Sequence, residues 1–159
     1  MAMNELVKLT EHFSLPEVIC RQGSQPCKLC WGLPPPLLFW PRMMEHLNVL
    51  EIVRFHIQEA ENAPIIILLT SAFRCKDHNR EVSTCQNPDN SQHLRFATDL
   101  QVIKKTNPPT AISSIQIYDL INRLISPNQG GLGIINDKTL HFDLRPDRPW
   151  REPKPYGIR

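Results

Sequence analysis

In "SQHLRFATDL", residues 91–100, His93 and Asp99 are separated by five residues. Forty residues on, "LHFDL" carries His141 and Asp143 on either side of a phenylalanine. Imidazole and carboxylate groups at such spacings serve two purposes. They hydrogen-bond within a packed interior, or they gather around a cation. Zinc takes nitrogen and oxygen ligands in a three-residue set and keeps a fourth position open for chemistry. A histidine and an aspartate from one strand and its preceding turn, with a histidine from a second strand, make such a set. The plainer alternative is a polar face on an edge hairpin, which is the common fate of a strand patterned this way.

The elements that would carry these residues follow from periodicity. In "TLHFDLR" the alternation is strict: Leu140, Phe142 and Leu144 share one face, and Thr139, His141, Asp143 and Arg145 the other. His141 and Asp143 therefore lie about 7 Å apart on one side of a strand. In "FATDLQV", Phe96, Thr98, Leu100 and Val102 fall on one side, and Ala97, Asp99 and Gln101 on the other. Small Ala97 leaves space beside Asp99.

Away from these strands, Met43, Leu47, Leu50, Val53 and Ile57 recur at three- and four-residue steps, which predicts an amphipathic helix near 42–60 with Pro41 in its first turn. Ile117, Leu120, Ile121 and Leu124 predict a second helix near 111–125, capped by Thr110. "IIILLTSAF" predicts a buried strand near 65–70. Further strands are expected near 97–103, 132–135 and 139–145, the last two forming a hairpin. "DHNREV" predicts a short helix capped by Asp77, followed by the turn-rich "CQNPDNSQ". The sum is an α+β fold with a small, mainly antiparallel sheet and flanking helices. The 159 residues suggest one domain, with an irregular N-terminal arm over 1–40 and a proline-rich C-terminal tail over 146–159.

Composition narrows the classes. Hydrophobic residues at 41% and charged residues at 21% are ordinary for a globular chain. A formal charge of +2 is too small to argue for nucleic acid or an anionic membrane as partner. The longest apolar run, "APIIILL", is strand-sized, so no membrane span is expected. The opening "MAMNELVKLTEHF" carries Glu5, Lys8 and Glu11 without an apolar core, so no secretory signal is read there and synthesis in the cytoplasm is expected. Five cysteines, Cys20, Cys27, Cys30, Cys75 and Cys85, are an odd number, which excludes complete pairing within one chain. Cys27 and Cys30 form a C-x-x-C that suits zinc or a redox dithiol, and a four-cysteine zinc site would need Cys20 plus Cys75 or Cys85. Free thiols are the plain alternative.

The run "SAFRCKDHNREV … NSQHLRFATDL … GGLGII … LHFDLR … RPW" resembles the zinc D-Ala-D-Ala carboxypeptidase family, whose fold is shared with the hedgehog signalling domain, and is most similar to its small bacterial and phage branch. The opening "LTEHFSLPEVIC" is similar to the start of that branch as well, so the resemblance spans nearly the whole chain. It implies zinc as cofactor, with His93, Asp99 and His141 as ligands. Arg74 matches an arginine that polarises the scissile carbonyl or steadies its oxyanion, and Ser91 a local hydrogen-bond partner of the first ligand. His78 and Asn79 match a pair that starts a helix and braces a loop. For the general base the resemblance asks for a carboxylate near the last histidine. Asp143 shares a face with His141 and is favoured, while Asp137 in the "NDK" turn is the alternative.

The family usually places six residues between its first histidine and the aspartate, and "RF" stands here where it has a glycine. If the turn tightens, both ligands converge; if not, His93 points away. Phe73 for tyrosine and Ala72 for glycine are milder departures. The implied activity is hydrolysis of peptidoglycan stem peptides or cross-links by a monomer, as a D-Ala-type carboxypeptidase or endopeptidase. An endolysin-like protein delivered to the wall by a phage, or carried in a virion, fits the missing signal. A non-catalytic, metal-containing binding module on the same fold is the alternative. A His-Asn-His nuclease built on "CKLC" and "DHN" is a third reading, which the low charge disfavours.

Overall fold

The computed structural model describes residues 7–83, 86–146 and 149–155. The N-terminal arm is more ordered than its prolines suggest. A one-turn helix α1 (Leu15–Val18) starts at a capping box: Ser14 Oγ and its main-chain N–H both donate to Glu17 Oε2, at 2.7 and 2.8 Å. Strands β1 (Arg21–Gln22) and β2 (Gln25–Pro26) then form a small antiparallel ribbon.

Helix α2 (Trp40–Glu61) follows, with Pro41 in its first turn and Asn62 in the left-handed conformation (φ +46°) at its end. Its apolar stripe Met43, Leu47, Leu50, Val53 and Ile57 is buried, as the three- and four-residue steps require. Each such side chain contributes roughly 1.5–3 kcal/mol of burial. His46 lies on the same buried stripe.

Strand β3 (Ile65–Ser71) is an edge strand: Ile65, Ile67 and Leu69 are buried, while Ile66 and Leu68 are 40% and 45% exposed. The apolar run predicted burial on both faces, and the strand's position at the sheet margin overrides it. A bulge between Leu69 and Ser71 shifts the register so that Ser71 pairs with Asp99. Helix α3 (Lys76–Val82) begins two residues earlier than expected from an Asp77 cap. Cys75 is the cap, its Sγ accepting the His78 N–H.

Strand β4 (Ala97–Lys104) pairs with β3, with the short β5 (Thr110–Ala111) and with β7. Thr110 thus belongs to a strand, and helix α4 (Ser114–Leu124) starts after Ser113, later than predicted. Ile117, Tyr118 and Ile121 are buried, whereas Leu124 at the helix end is 37% exposed. Strands β6 (Gly131–Ile134) and β7 (Leu140–Asp143) form the expected hairpin. The tail adds β8 (Trp150–Glu152), which pairs with β6 in parallel.

The sheet order is β3-β4-β7-β6-β8, antiparallel except for the last pair. Strand β7 is therefore central, not the edge that its polar face suggested. Phe96, Leu100, Leu132, Leu140 and Phe142 are fully buried in a core that includes the stripes of α2 and α4. Among the described residues no helix is long and apolar enough to cross a membrane.

Candidate metal centre

Cross-strand pairing builds the site. Asp99 of β4 pairs with His141 of β7, which pairs with Gly133 of β6, which pairs with Glu152 of β8. Side chains at paired positions share a face, so Asp99, His141 and Glu152 belong to one row, with Gly133 leaving its place in the row open. The next row on that face holds Ala97, Asp143, Gly131 and Trp150.

His93 reaches the row from the turn before β4. Ser91 Oγ accepts the His93 N–H at 3.3 Å, and the Arg74 N–H donates to the His93 carbonyl at 3.0 Å. The shortened turn does tighten. Phe96, of the "RF" pair that stands where the resembled family has a glycine, takes φ +131°, a region side chains rarely enter. Its fully buried ring sits edge-on to His46, centroids 5.1 Å apart, so burial offsets the strain.

Three ligand atoms, one each from His93, Asp99 and His141, lie within 4.8 Å of one another. His93 Nδ1 faces the Ala72 carbonyl at 2.7 Å; a carbonyl can only accept, so Nδ1 carries the proton and Nε2 is bare. That Nε2 lies 3.4 Å from Asp99 Oδ1. His141 Nδ1 lies 3.0 Å from the same oxygen, and His141 Nε2 lies 3.1 Å from Asp143 Oδ2. Asp99 Oδ2 accepts from Arg74 Nη2 at 3.0 Å, and Arg74 Nε donates to Ser71 Oγ at 2.9 Å.

The electrostatics follow. Burial alone would lower His141, but the hydrogen bonds and charges of Asp143 and Asp99 raise it to about 9. Burial lowers His93 and wins over the opposing pull of Asp99. Burial would raise Asp99, yet the His93 and His141 imidazoles beside it hold it far below the usual carboxylate range. This arrangement suits zinc. Each imidazole has an outer acceptor that fixes one N–H and turns the other nitrogen toward Asp99, as histidine ligands of zinc require.

Asp143, favoured as the base from strand patterning, has a different setting. It is fully buried, against the His141 nitrogen opposite the one facing Asp99. Arg145 grips it through its main-chain N–H, Nε and Nη2. Burial would raise Asp143, but the Arg145 and His141 bonds push it well below the ordinary range. Gly131 makes this grip possible: a Cβ there would strike Asp143 Oδ2 and come within 2.6 Å of Arg145 Nη2. The Arg145 guanidinium lies 5.8 Å from the Trp150 ring centroid, and that ring is 5.9 Å from His141.

Asp137 is exposed in the β6–β7 turn, where its carbonyl accepts the Ser114 N–H at the start of α4. Asn79 Nδ2 donates to the Pro88 carbonyl at 2.7 Å, bracing the loop before His93. His78 is buried with Nδ1 3.3 Å from Cys20 Sγ.

Two features escaped the sequence reading. His46 on α2 lies 2.9 Å from Thr98 Oγ1 and stacks on Phe142 at 4.3 Å, directly behind the site. Its place on the helical stripe was the available signal. Glu152 had none, because only the β6–β8 pairing brings it to the row.

The sequence model of the family described as Peptidase M15 matches residues 7–118. The chain belongs to the M15 peptidase family. The match spans Arg74, His93 and Asp99 and ends before the hairpin that bears His141. No curated protein and no solved structure gives a significant match. The α+β sheet with flanking helices agrees with an M15 peptidase fold. M15 peptidases are zinc-dependent hydrolases as a family, and this member carries a His-Asp-His group suited to the metal.

Proposed function

We propose that this M15 peptidase is a zinc-dependent hydrolase of peptidoglycan stem peptides or cross-links, with His93, Asp99 and His141 as its metal ligands. The observation that carries the reading is the convergence of these three side chains within 4.8 Å, in a chain of this family. Zinc held there supplies a Lewis acid that polarises a peptide carbonyl and makes water nucleophilic near neutral pH. The Ala72 carbonyl and the Asp143 carboxylate keep protons on the outer nitrogens of His93 and His141, so the inner nitrogens stay available. Arg74 is anchored on Asp99 and Ser71 and has further N–H groups to offer a substrate carbonyl oxygen as charge develops on it.

For the base, geometry favours Glu152 over Asp143. All of Asp143's neighbours donate to it, and a carboxylate so stabilised as an anion is a poor proton acceptor. We assign it to positioning His141. Glu152 is half-buried on the same row, its Cα about two strand spacings, or roughly 10 Å, from that of His141. The chemistry needs a carboxylate that faces the reacting groups yet keeps access to protons.

The test is incubation of the zinc-loaded chain with purified peptidoglycan, followed by product analysis. Release of free D-alanine identifies a carboxypeptidase, and new amino termini without it identify an endopeptidase. Tight retention on peptidoglycan with full zinc content and no cleavage would instead establish the binding-module reading.

A further inference from the structure

A second cluster of metal-ligating side chains lies outside this site. Cys20, Cys27, Cys30 and Cys75 bring their four Sγ atoms within 4.8 Å of one another. They come from two distant parts of the chain: the first three from the N-terminal arm around β1 and β2, and Cys75 from the β3–α3 connection. A tetrahedron of Zn–S bonds of about 2.3 Å has sulfur–sulfur edges of about 3.8 Å. Four sulfurs within 4.8 Å of one another leave room for a tetrahedron of that size.

The local backbone is built for this purpose. The Cys27 N–H donates to the Cys20 carbonyl at 3.0 Å and the Cys30 N–H to the Cys27 carbonyl at 3.4 Å, curling the C-x-x-C loop over its own sulfurs. Trp31 and Gly32 follow with φ +55° and +77°, which turns the chain back sharply. At Gly32 any Cβ would meet Pro26 at 3.0 Å and Ile19 at 3.1 Å, so only glycine closes the loop without displacement. Main-chain N–H groups of Cys75 and His78 point at Cys20 Sγ and Cys75 Sγ, at 3.2 and 3.5 Å, and His78 Nδ1 lies 3.3 Å from Cys20 Sγ. N–H donors aimed at sulfur favour thiolate, the form that binds metal.

We propose that Cys20, Cys27, Cys30 and Cys75 hold a second zinc ion, closed by four thiolates, that fastens the N-terminal arm to the segment bearing Arg74. Four sulfurs leave no open position, so this ion is structural. Two disulfides would divide the cysteines into separate pairs, whereas all four sulfurs here share one centre. The ribbon that joins Cys20 to Cys27 has only two residues in each strand, and such a ribbon is marginal alone. Arg74 directly precedes Cys75, and α3 begins at the next residue, so the ion fixes the point from which Arg74 projects.

Metal analysis of the full chain, purified with reductant, tests this independently of catalysis. The wild type is expected to carry two zinc ions. His93→Ala/His141→Ala should keep one, and Cys27→Ser/Cys30→Ser should keep one at the other site. If the cysteine variant fails to fold, the histidine variant still decides. A thiol-specific mercurial should release its zinc in step with four thiols. A histidine variant without zinc, bound iron in place of zinc, or an intact mass showing a disulfide among these cysteines would overturn the proposal.

Discussion

Asp143 lies 3.1 Å from His141 Nε2, and His141 Nδ1 lies 3.0 Å from Asp99. One imidazole thus bridges two carboxylates, one turned to the candidate metal site and one locked behind it by Arg145. The two acids cannot share a role, and substitution separates them.

Asp143→Asn is expected to weaken zinc binding by roughly 10–100-fold, the usual cost of losing an outer partner of a histidine ligand. Glu152→Gln should leave zinc affinity unchanged and lower hydrolysis by about 100-fold or more, as loss of a general base does. Competition with a chromophoric chelator and a peptidoglycan cleavage assay read the two effects. Asp143→Asn with full zinc affinity and no turnover would restore Asp143 as the base, and a fully active Glu152→Gln would exclude Glu152.

Zinc binding at pH 7 should release about one proton from the site. His141 is raised to about 9 and carries protons on both nitrogens in the metal-free protein, while lowered His93 is already neutral. The metal must displace the Nδ1 proton of His141, so affinity should rise about tenfold per pH unit between pH 7 and 9. Calorimetry in two buffers of different ionisation heat counts the proton. No release would mean that His141 is already neutral in the metal-free protein or is not a ligand.

His46 makes stability sensitive to mild acid. Burial, opposed by the Asp143 charge and reinforced by His141 and His93, lowers it to about 3. Between pH 6.5 and 3 the unfolded chain binds a proton at this position that the folded chain refuses. Its contribution is complete above about 6.5 and falls by about 1.4 kcal/mol per unit as pH drops. Urea unfolding at pH 7 and pH 5 should show the loss, and His46→Leu should reduce it by about 2 kcal/mol. An equal loss in both proteins would remove His46 as the cause.

At Phe96 the usual order of two substitutions should invert. Phe→Ala in a core costs about 3–5 kcal/mol, and glycine is ordinarily worse than alanine. Here φ is +131°, which glycine adopts without strain and alanine does not. Phe96→Gly should therefore melt at or above Phe96→Ala in a thermal unfolding comparison. A clearly less stable glycine variant would show that this turn relaxes when the ring is removed.

Much of this site is legible in local pattern. Strict alternation in "TLHFDLR" and "FATDLQV" put His141 and Asp99 on strand faces opposite the apolar residues, because successive side chains of a strand must alternate. The stripe from Met43 to Ile57 specified α2 by the same kind of logic, at helical period. What local pattern cannot carry is which strands become neighbours. Only pairing across the sheet made β7 central, set Asp99 beside His141 and brought Glu152 into their row through parallel β8. Only the packed environment decided that Asp143 faces the outer nitrogen of His141, since a two-residue spacing gives a shared face but not a ring orientation. The same holds for Cys75, which joins a C-x-x-C more than forty residues away. Periodicity is a property of a few adjacent residues, whereas a metal site is a meeting of distant ones, settled when the chain closes its loops around one core.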